Sequence, residues 1–383
     1  RREAPRPARR ARTALMPRLR GADAATVRDA VESGDPLPGT AGFAGEVDDR
    51  LVRDALGREP LYLDAASDER TWSFDPTELA EPELLDAGSV VEPDGRRRER
   101  WSLPDPEPET DHETAVGAVR EAVLTSVREP AESGLAVAFS GGVDSAVVAA
   151  GVPEAPCYVA GFADAESHDV AAARNAATAM DRNLRVVAFD HDDIERAVPE
   201  IVRATGRANA MDVGIALPLY FVAERAAADG YGRLAVGQGA DELFGGYRKV
   251  VDPAADHRVA AETVRGATRE VIRTLPDQLP RDVLTLRAAG VEPVAPLLHD
   301  RVVDAALRLP ADLLATEEER KIALRRAASG VVPESVRSAE KKAVQYGTYA
   351  ARELDRLARQ AGFKKRMDDH VGQYIDALVA GEA

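Results

Sequence analysis

The sequence predicts an α/β protein: a doubly wound parallel sheet with C-terminal helices, preceded by a small, mainly β N-terminal domain. Three observations carry this expectation. From about Ala115 to Gly237, strand-like apolar runs alternate with helical stretches, the pattern of parallel strands joined by crossover helices. Before Trp101 the pattern is short alternating runs separated by turn residues, which suits antiparallel hairpins. Between the two lies SLPDPEPETDHET, acidic and proline-rich, with too little apolar surface to pack and therefore a linker. The boundaries expected are 21–103 for the β domain, 104–113 for the linker and 114–383 for the α/β domain. Residues 1–20, which begin RREAPRPARRARTAL, read as a disordered basic tail or as a start assigned upstream of Met16.

Taken in order, ATVRDAVESG is a helix ending at Gly34, and GFAGEVDDRLVRDALGREPLYLD and TWSFDP supply strands. SVVEPDGRRRERW is a hairpin turning at Asp94-Gly95. AVGAVREAVLTSVREPA is a helix, and Leu135–Phe139 the first parallel strand. Cys157–Phe162 and LRVVAFD are the second and third strands, each followed by a helix, SHDVAAARNAATAMD and DIERAVPEIVRATG. A helical run over Ile215–Ala228 leads to a fourth strand, RLAVG. From Pro253 onward the expectation is mostly helix, with no internal repeat.

Composition narrows the function classes. The 383 residues carry a formal charge of −16, with six lysines against more than forty arginines. Such an acid excess argues against a broad nucleic-acid-binding face and leaves room only for a local basic groove. Acidic, Ala- and Val-rich, lysine-poor composition fits a high-salt, halophilic cytoplasm, and GC-rich codon usage would produce part of the same bias. One cysteine, Cys157, permits no intrachain disulfide, and no apolar run is long enough to span a bilayer. The compartment expected is the cytoplasm, with neither membrane nor nucleic acid as partner.

Two glycine-rich loops concentrate the chemistry. In LAVAFSGGVDS, Leu135 to Ser145, a buried strand meets a Gly-Gly turn and a helix N-terminus. That combination presents free N–H groups and a positive dipole end to an anion. Ser140 and Ser145 add hydroxyl donors, and Asp144 is placed to hold a magnesium ion against phosphates. The spacing is not GxxxxGK(S/T), so this is not a Walker loop. The second loop, GQGADELFGGYRK, follows the fourth strand with four glycines and carries Asp241 and Glu242. In a doubly wound sheet both loops lie at carboxyl ends of strands, so Asp241 and Asp144 could share magnesium on a polyphosphate.

SGGVDS resembles the pyrophosphate loop of the ATP-pyrophosphatase superfamily, whose members cut ATP into AMP and pyrophosphate. Together with GADELFGGY it resembles the synthetase domain of the glutamine-dependent asparagine synthetase family. GVEPVAPLLHDRVVDAALRLP and KIALRRAASGVVPESVRSAEKKAVQYG resemble later stretches of that domain, so the likeness runs from about Thr114 to Gly347. VRDALGREPLYL and LDAGSVVEPDGRRRERW resemble parts of the family's glutaminase domain, shortened here. The resemblance implies ATP and Mg2+ as cofactors. Ser140, Gly141, Gly142 and Ser145 would hold the pyrophosphate, and backbone at Ala138, Ala160 and Gly237 the nucleoside. Asp144 and Asp241 would bind the metal, and Lys321 and Lys342 would neutralise pyrophosphate. The implied reaction is adenylation of a small-molecule carboxylate, then displacement of AMP by an amine, usually ammonia.

The departures from the family pattern fall on the second substrate. Gln238 stands where asparagine synthetases have glutamate, and a neutral amide cannot act as a general base. Val294 and His299 replace an arginine and an aspartate of the family's GLExRxPFLD stretch, and RDVLTLRAAG does not match the preceding DR-containing helix. The acid is therefore left unassigned, because arginine is the natural carboxylate clamp. No cysteine stands near Arg1 or Met16 to open a glutaminase, and Cys157 falls in a buried strand. The expected ammonia source is free ammonia or a separate glutaminase subunit, and the resemblance leaves room for a homodimer. Two other readings stay open: adenylation of a different acceptor such as an RNA base, and a non-catalytic ATP-binding subunit paired with a glutaminase.

Overall fold

A computed structural model describes residues 18–67, 70–130, 134–163, 168–339, 346–364, 366 and 368–382. Its centre is a five-stranded, all-parallel sheet in the spatial order Leu184–Phe189, Cys157–Phe162, Leu135–Ala138, Arg233–Ala235, Glu292–Val294. The first strand in sequence thus lies in the middle. The chain winds outward on one side through the second and third strands, then crosses back to build the fourth and fifth. The switch point lies between the central strand and Arg233–Ala235, where ligands of such sheets collect.

Period-two alternation assigns each strand's side chains to two buried faces. Leu135, Val137, Cys157 and Val159 pack into one core with the helices His112–Arg128 and Val143–Gly151. Ala136, Tyr158, Ala160 and Phe162 pack into the other with His191–Thr205 and Ala210–Ala228. The helix ends follow local chemistry. Asp111 caps the first of these helices by accepting from the N–H groups of Glu113 and Thr114 at 2.8 and 3.0 Å. Asp190 and Asp193 form a reciprocal capping box on another.

The N-terminal region is β-rich, as expected. One antiparallel sheet runs Leu19–Arg20, Ala44–Val47, Arg50–Arg53, Ser89–Val91, Arg97–Glu99, and a smaller one joins Trp72–Ser73, Tyr62–Asp64 and Pro82–Leu84. The helix Ala24–Ser33 ends at Gly34 in the left-handed region, and the hairpin at Asp94-Gly95 is present. The expected linker is coil over 104–111, the helix starting at His112 inside its expected end, and it does not float. The guanidinium of Arg265 donates to the carbonyl of Pro106, and that of Arg269 donates to Leu103 and Pro104.

Buried arginines bolt this region to the parallel-sheet layer. Arg58, 3% exposed, pairs with Asp54 at 2.8 Å and with Asp300 at 2.7 Å, and donates to the carbonyl of Leu298. Arg53 donates to the carbonyl of Pro276, and Arg287 reaches Glu59. Leu298 and the helix starting near Pro276 both border the site described below, so the β region acts as their buttress.

One element departs from the expected helical C-terminal part, and one helix there carried no clear sequence mark. Glu292–Val294 adds a fifth parallel strand, short and interrupted by Pro293, at the sheet's edge where proline is tolerated. A helix spans Leu275–Ala288 despite Pro276 and Pro280. Pro276 sits in the first turn, where the missing N–H would be unpaired anyway.

Candidate active site

The turn after the central strand is shaped by what surrounds it. Gly141 has φ +77°, and a Cβ there would lie 2.7 Å from the carbonyl oxygen of Ala172, so only glycine fits. A Cβ on Gly142 would meet only the Ser140 hydroxyl, at 3.7 Å, which leaves that side of the loop open. Gly142 precedes the helix Val143–Gly151, whose amino end has no side-chain cap. Its first N–H groups are therefore left for an anion. Ser145 is buried, and its hydroxyl accepts from the Ser140 N–H at 3.1 Å, lies 3.2 Å from the Ser140 hydroxyl, and donates to the Gly142 carbonyl at 3.2 Å. These bonds hold the loop in its open shape.

The second loop leaves the neighbouring strand and meets the first. A Cβ on Gly237 would lie 3.0 Å from Cβ of Asp144, so the absence of a side chain lets the two strand ends approach. Gly239, at φ +91°, fits against Leu298, where a Cβ would come within 2.4 Å. Asp241 follows in a short helix, Ala240–Leu243.

Lys321 completes the cluster from a distant part of the chain. Its Nζ lies 2.6 Å from Oδ2 of Asp144 and 2.7 Å from Oδ1 of Asp241, with the side chain 4% exposed. Its backbone sits in the left-handed region, φ 60°, just before the helix Ile322–Ala327. A non-glycine residue pays strain there, and such strain collects at functional sites. Burial pushes the ammonium's pKa down, but Asp144 and then Asp241 outweigh it and hold it above the ordinary lysine value. Gly246 packs on the same cluster: a Cβ would lie 2.1 Å from Oδ1 of Asp241 and 2.4 Å from Cε of Lys321. Arg325 donates to the carbonyls of Arg320, Arg337 and Ala339, tying this segment to the chain leading toward Lys341 and Lys342. Lys342 itself lies outside the described residues.

The donor set fits a hard divalent cation bridging to phosphate. Oδ1 of Asp144 is buried and has no hydrogen-bond partner among the described residues. Asp241 converges on the same ammonium, so a cation could replace that ammonium between two carboxylates. No group of three or more His, Cys, Asp or Glu gathers for a metal among the described residues. One or two carboxylates completed by substrate phosphates is the usual magnesium arrangement. Glu242, next to Asp241, is buried and accepts from the Tyr247 hydroxyl. Burial first, then the charge of Asp241, raises the Glu242 pKa.

Gln238 heads a second buried network. Its amide nitrogen donates to Oδ2 of Asp282, whose Oδ1 accepts from Nε of Arg281 at 2.7 Å. Arg281 also donates to Oδ1 of Asp212 at 2.8 Å, and Asn209 and Arg207 donate to Oδ2 of Asp212. Sequence reasoning missed Asp212, Arg281 and Asp282. The one available signal was the RD pair in RDVLTLRAAG, and it becomes meaningful only once the helix is seen to pass behind Gln238.

Ala138 ends the central strand and Ala160 lies two residues before the carboxyl end of the adjacent one, where Ala160, Phe162, Phe189 and Tyr349 line a narrow cleft. Val294 lies at the end of the fifth strand, while His299 caps a helix by accepting from the Arg301 N–H. Cys157 is fully buried, and burial raises its thiol pKa, which suits core packing rather than nucleophilic attack. A cavity of about 510 Å3 opens elsewhere, between the N-terminal β region and the helix carrying Arg287. Its arginines, Arg20, Arg203 and Arg287, are matched by Asp75, Glu200 and Glu292, and none of its lining residues belongs to either glycine loop. No described helix is long and apolar enough to cross a membrane.

Comparison with known proteins identifies the family. The sequence model of the asparagine synthase family matches residues 118–270 and 252–379. The chain is also 28% identical to a Methanocaldococcus jannaschii protein named "Putative asparagine synthetase (glutamine-hydrolyzing) 1", over 68% of this chain and 53% of that protein. The chain thus spans about half the length of that relative. The family match covers every strand of the parallel sheet, both glycine loops and Lys321, and the chain belongs to the asparagine synthase family, with the family's ATP-pyrophosphatase-like domain.

Proposed function

We propose that this protein is an ATP-dependent, AMP- and pyrophosphate-forming amide synthetase. It would adenylate a small carboxylic acid and pass the acyl group to ammonia. The observation that carries this reading is the convergence of Asp144, Asp241 and Lys321 beside an uncapped helix N-terminus at the sheet's switch point. Negative charge that shifts onto a leaving pyrophosphate needs fixed donors and cations at that spot.

In this reading the N–H groups of the Ser140–Ser145 turn bind phosphoryl oxygens, and Lys321 turns from the carboxylates to the pyrophosphate. Asp144 and Asp241 would hold magnesium, which supplies charge neutralisation on the polyphosphate. The backbone at Ala138, Ala160 and Gly237 would border the nucleoside. The substrate carboxylate attacks the α-phosphorus and pyrophosphate leaves; the amine then attacks the acyl carbon and AMP leaves. Ammonia would come from solution or from a separate glutaminase subunit; Cys157, fully buried in a strand, is placed for core packing and not for attack on glutamine. The acidic, lysine-poor composition supports a salt-rich cytoplasm as the setting.

The test is a pyrophosphate-release screen across carboxylic acids, with ATP, magnesium and ammonium at high potassium chloride. Acid-dependent pyrophosphate with matching AMP and amide is the expected result. Nucleotide binding without pyrophosphate for any acid, even with a glutaminase supplied, would overturn the catalytic reading in favour of an ATP-binding subunit.

A further inference from the structure

Gln238 occupies a position facing the nucleotide loop, yet its amide has no basic character. Directly behind it, on the helix Leu275–Ala288, stands a carboxylate that is 6% exposed, Asp282. Both oxygens of Asp282 are engaged by donors, Oδ1 by Nε of Arg281 and Oδ2 by the amide nitrogen of Gln238. An ionised carboxylate only accepts, so this contact decides which end of the Gln238 amide faces it. The NH2 group turns toward Asp282, so Oε1 is directed away from that carboxylate and is left as the acceptor. Arg281 is fixed in turn by Asp212, itself held by Asn209 and Arg207, so the orientation is set by a buried chain of alternating charges.

We propose that Asp282 is a positioning residue for the amine step. It holds the Gln238 amide so that Oε1 accepts a hydrogen bond from the N–H of the attacking amine. This rests on the reading of the site as an amide synthetase. The amine lone pair forms the C–N bond, the acyl C–O bond breaks, and AMP leaves with that electron pair. A neutral amide oxygen orients the amine but does not take its proton, which passes to a phosphate oxygen of the departing AMP. The sequence departure at Gln238 and the carboxylate on the helix behind it are then two halves of one device.

Asp282→Asn separates this role from a merely structural one. The substituted amide has one oxygen for two donors. The charged Arg281 captures that oxygen, so the new NH2 group faces Gln238 and forces the Gln238 amide to flip, removing Oε1 from the amine. The reversed pair, D282N with Q238E, lets the introduced NH2 donate to a carboxylate whose second oxygen again faces the amine. Pyrophosphate and amide are measured separately with ammonium. In D282N, amide formed per pyrophosphate released falls at least tenfold, the KM for ammonium rises, and pyrophosphate release stays within threefold. The double variant recovers the ratio to within threefold. An unchanged ratio in D282N, or loss of pyrophosphate and amide together, would overturn the proposal.

A readout that needs no turnover guards against failure of the functional reading itself. The chain has five glutamines, so side-chain 15N-glutamine labelling of the full protein gives few NH2 pairs. The Gln238 pair is assigned by its loss in Q238E. In the wild type it carries a downfield proton, which moves toward the solvent-exposed range in D282N. If the wild type makes no pyrophosphate, the function falls while this shift still tests the pair, and a Gln238 resonance that does not move in D282N overturns the orientation.

Discussion

Replacing Lys321 by methionine tests the central cluster most directly. The ammonium lies 2.6 and 2.7 Å from two carboxylates and is almost wholly buried, so K321M leaves two half-buried acids facing each other. Removing one partner from a buried ion pair costs roughly 3–5 kcal/mol. At about 2 °C per kcal/mol for a domain of this size, Tm falls by roughly 6–10 °C. The lysine's folded pKa is raised, so its stabilisation is fully present below the ordinary lysine pKa and is lost as pH rises through the raised value. The gap between wild type and variant therefore holds at neutral pH and closes only at strongly alkaline pH. Magnesium gives a second, opposite reading. In K321M the vacated carboxylates bind the cation without displacing an ammonium. At about 100 times its Kd the metal would restore about 2.7 kcal/mol. Scanning calorimetry with and without magnesium chloride, in the absence of nucleotide, measures both effects. A variant as stable as the wild type, or a magnesium shift equal in both proteins, would refute the view that lysine and metal share one site.

Two further expectations follow from single contacts. Gly246→Ala drives a methyl group against Asp241 and Lys321, so pyrophosphate release should fall about 100-fold, equivalent to about 2.7 kcal/mol of barrier, while circular dichroism stays native; activity within threefold would show that the cluster relaxes freely. Burial first, then Arg301, lowers the folded pKa of His299 below the usual histidine value. The unfolded chain then binds more protons in the window just below that value, and wild-type stability rises with pH there. His299→Asn keeps an N-cap acceptor and should flatten this rise in urea titrations between about pH 5 and 6.5; parallel curves for the two proteins would contradict it.

Much of the α/β layer could be read from residue order alone. Cys157–Phe162 is uniformly apolar because both faces of a central strand are covered, and a run of that kind between turn residues has few other meanings. Glu292–Val294 had no such mark: three residues with a proline become a strand only by pairing with Arg233–Ala235. The helix Leu275–Ala288 was equally hidden, since two prolines weaken its local preference and burial against neighbouring helices supplies the rest.

Sequence alone was sufficient for the two glycine loops, their strands, and the glycine-shaped turn into a helix at Ser140–Ser145, because these depend on backbone freedom encoded within a few residues. Which side chains meet was decided by the tertiary structure. Asp144, Asp241 and Lys321 are far apart in the chain, and only the crossover at the central strand brings them onto one ammonium. The link from Gln238 through Asp282 and Arg281 to Asp212 likewise exists only because one helix passes behind one strand end. Local patterns specify backbone shape, whereas contacts between distant charged groups depend on how the layers pack.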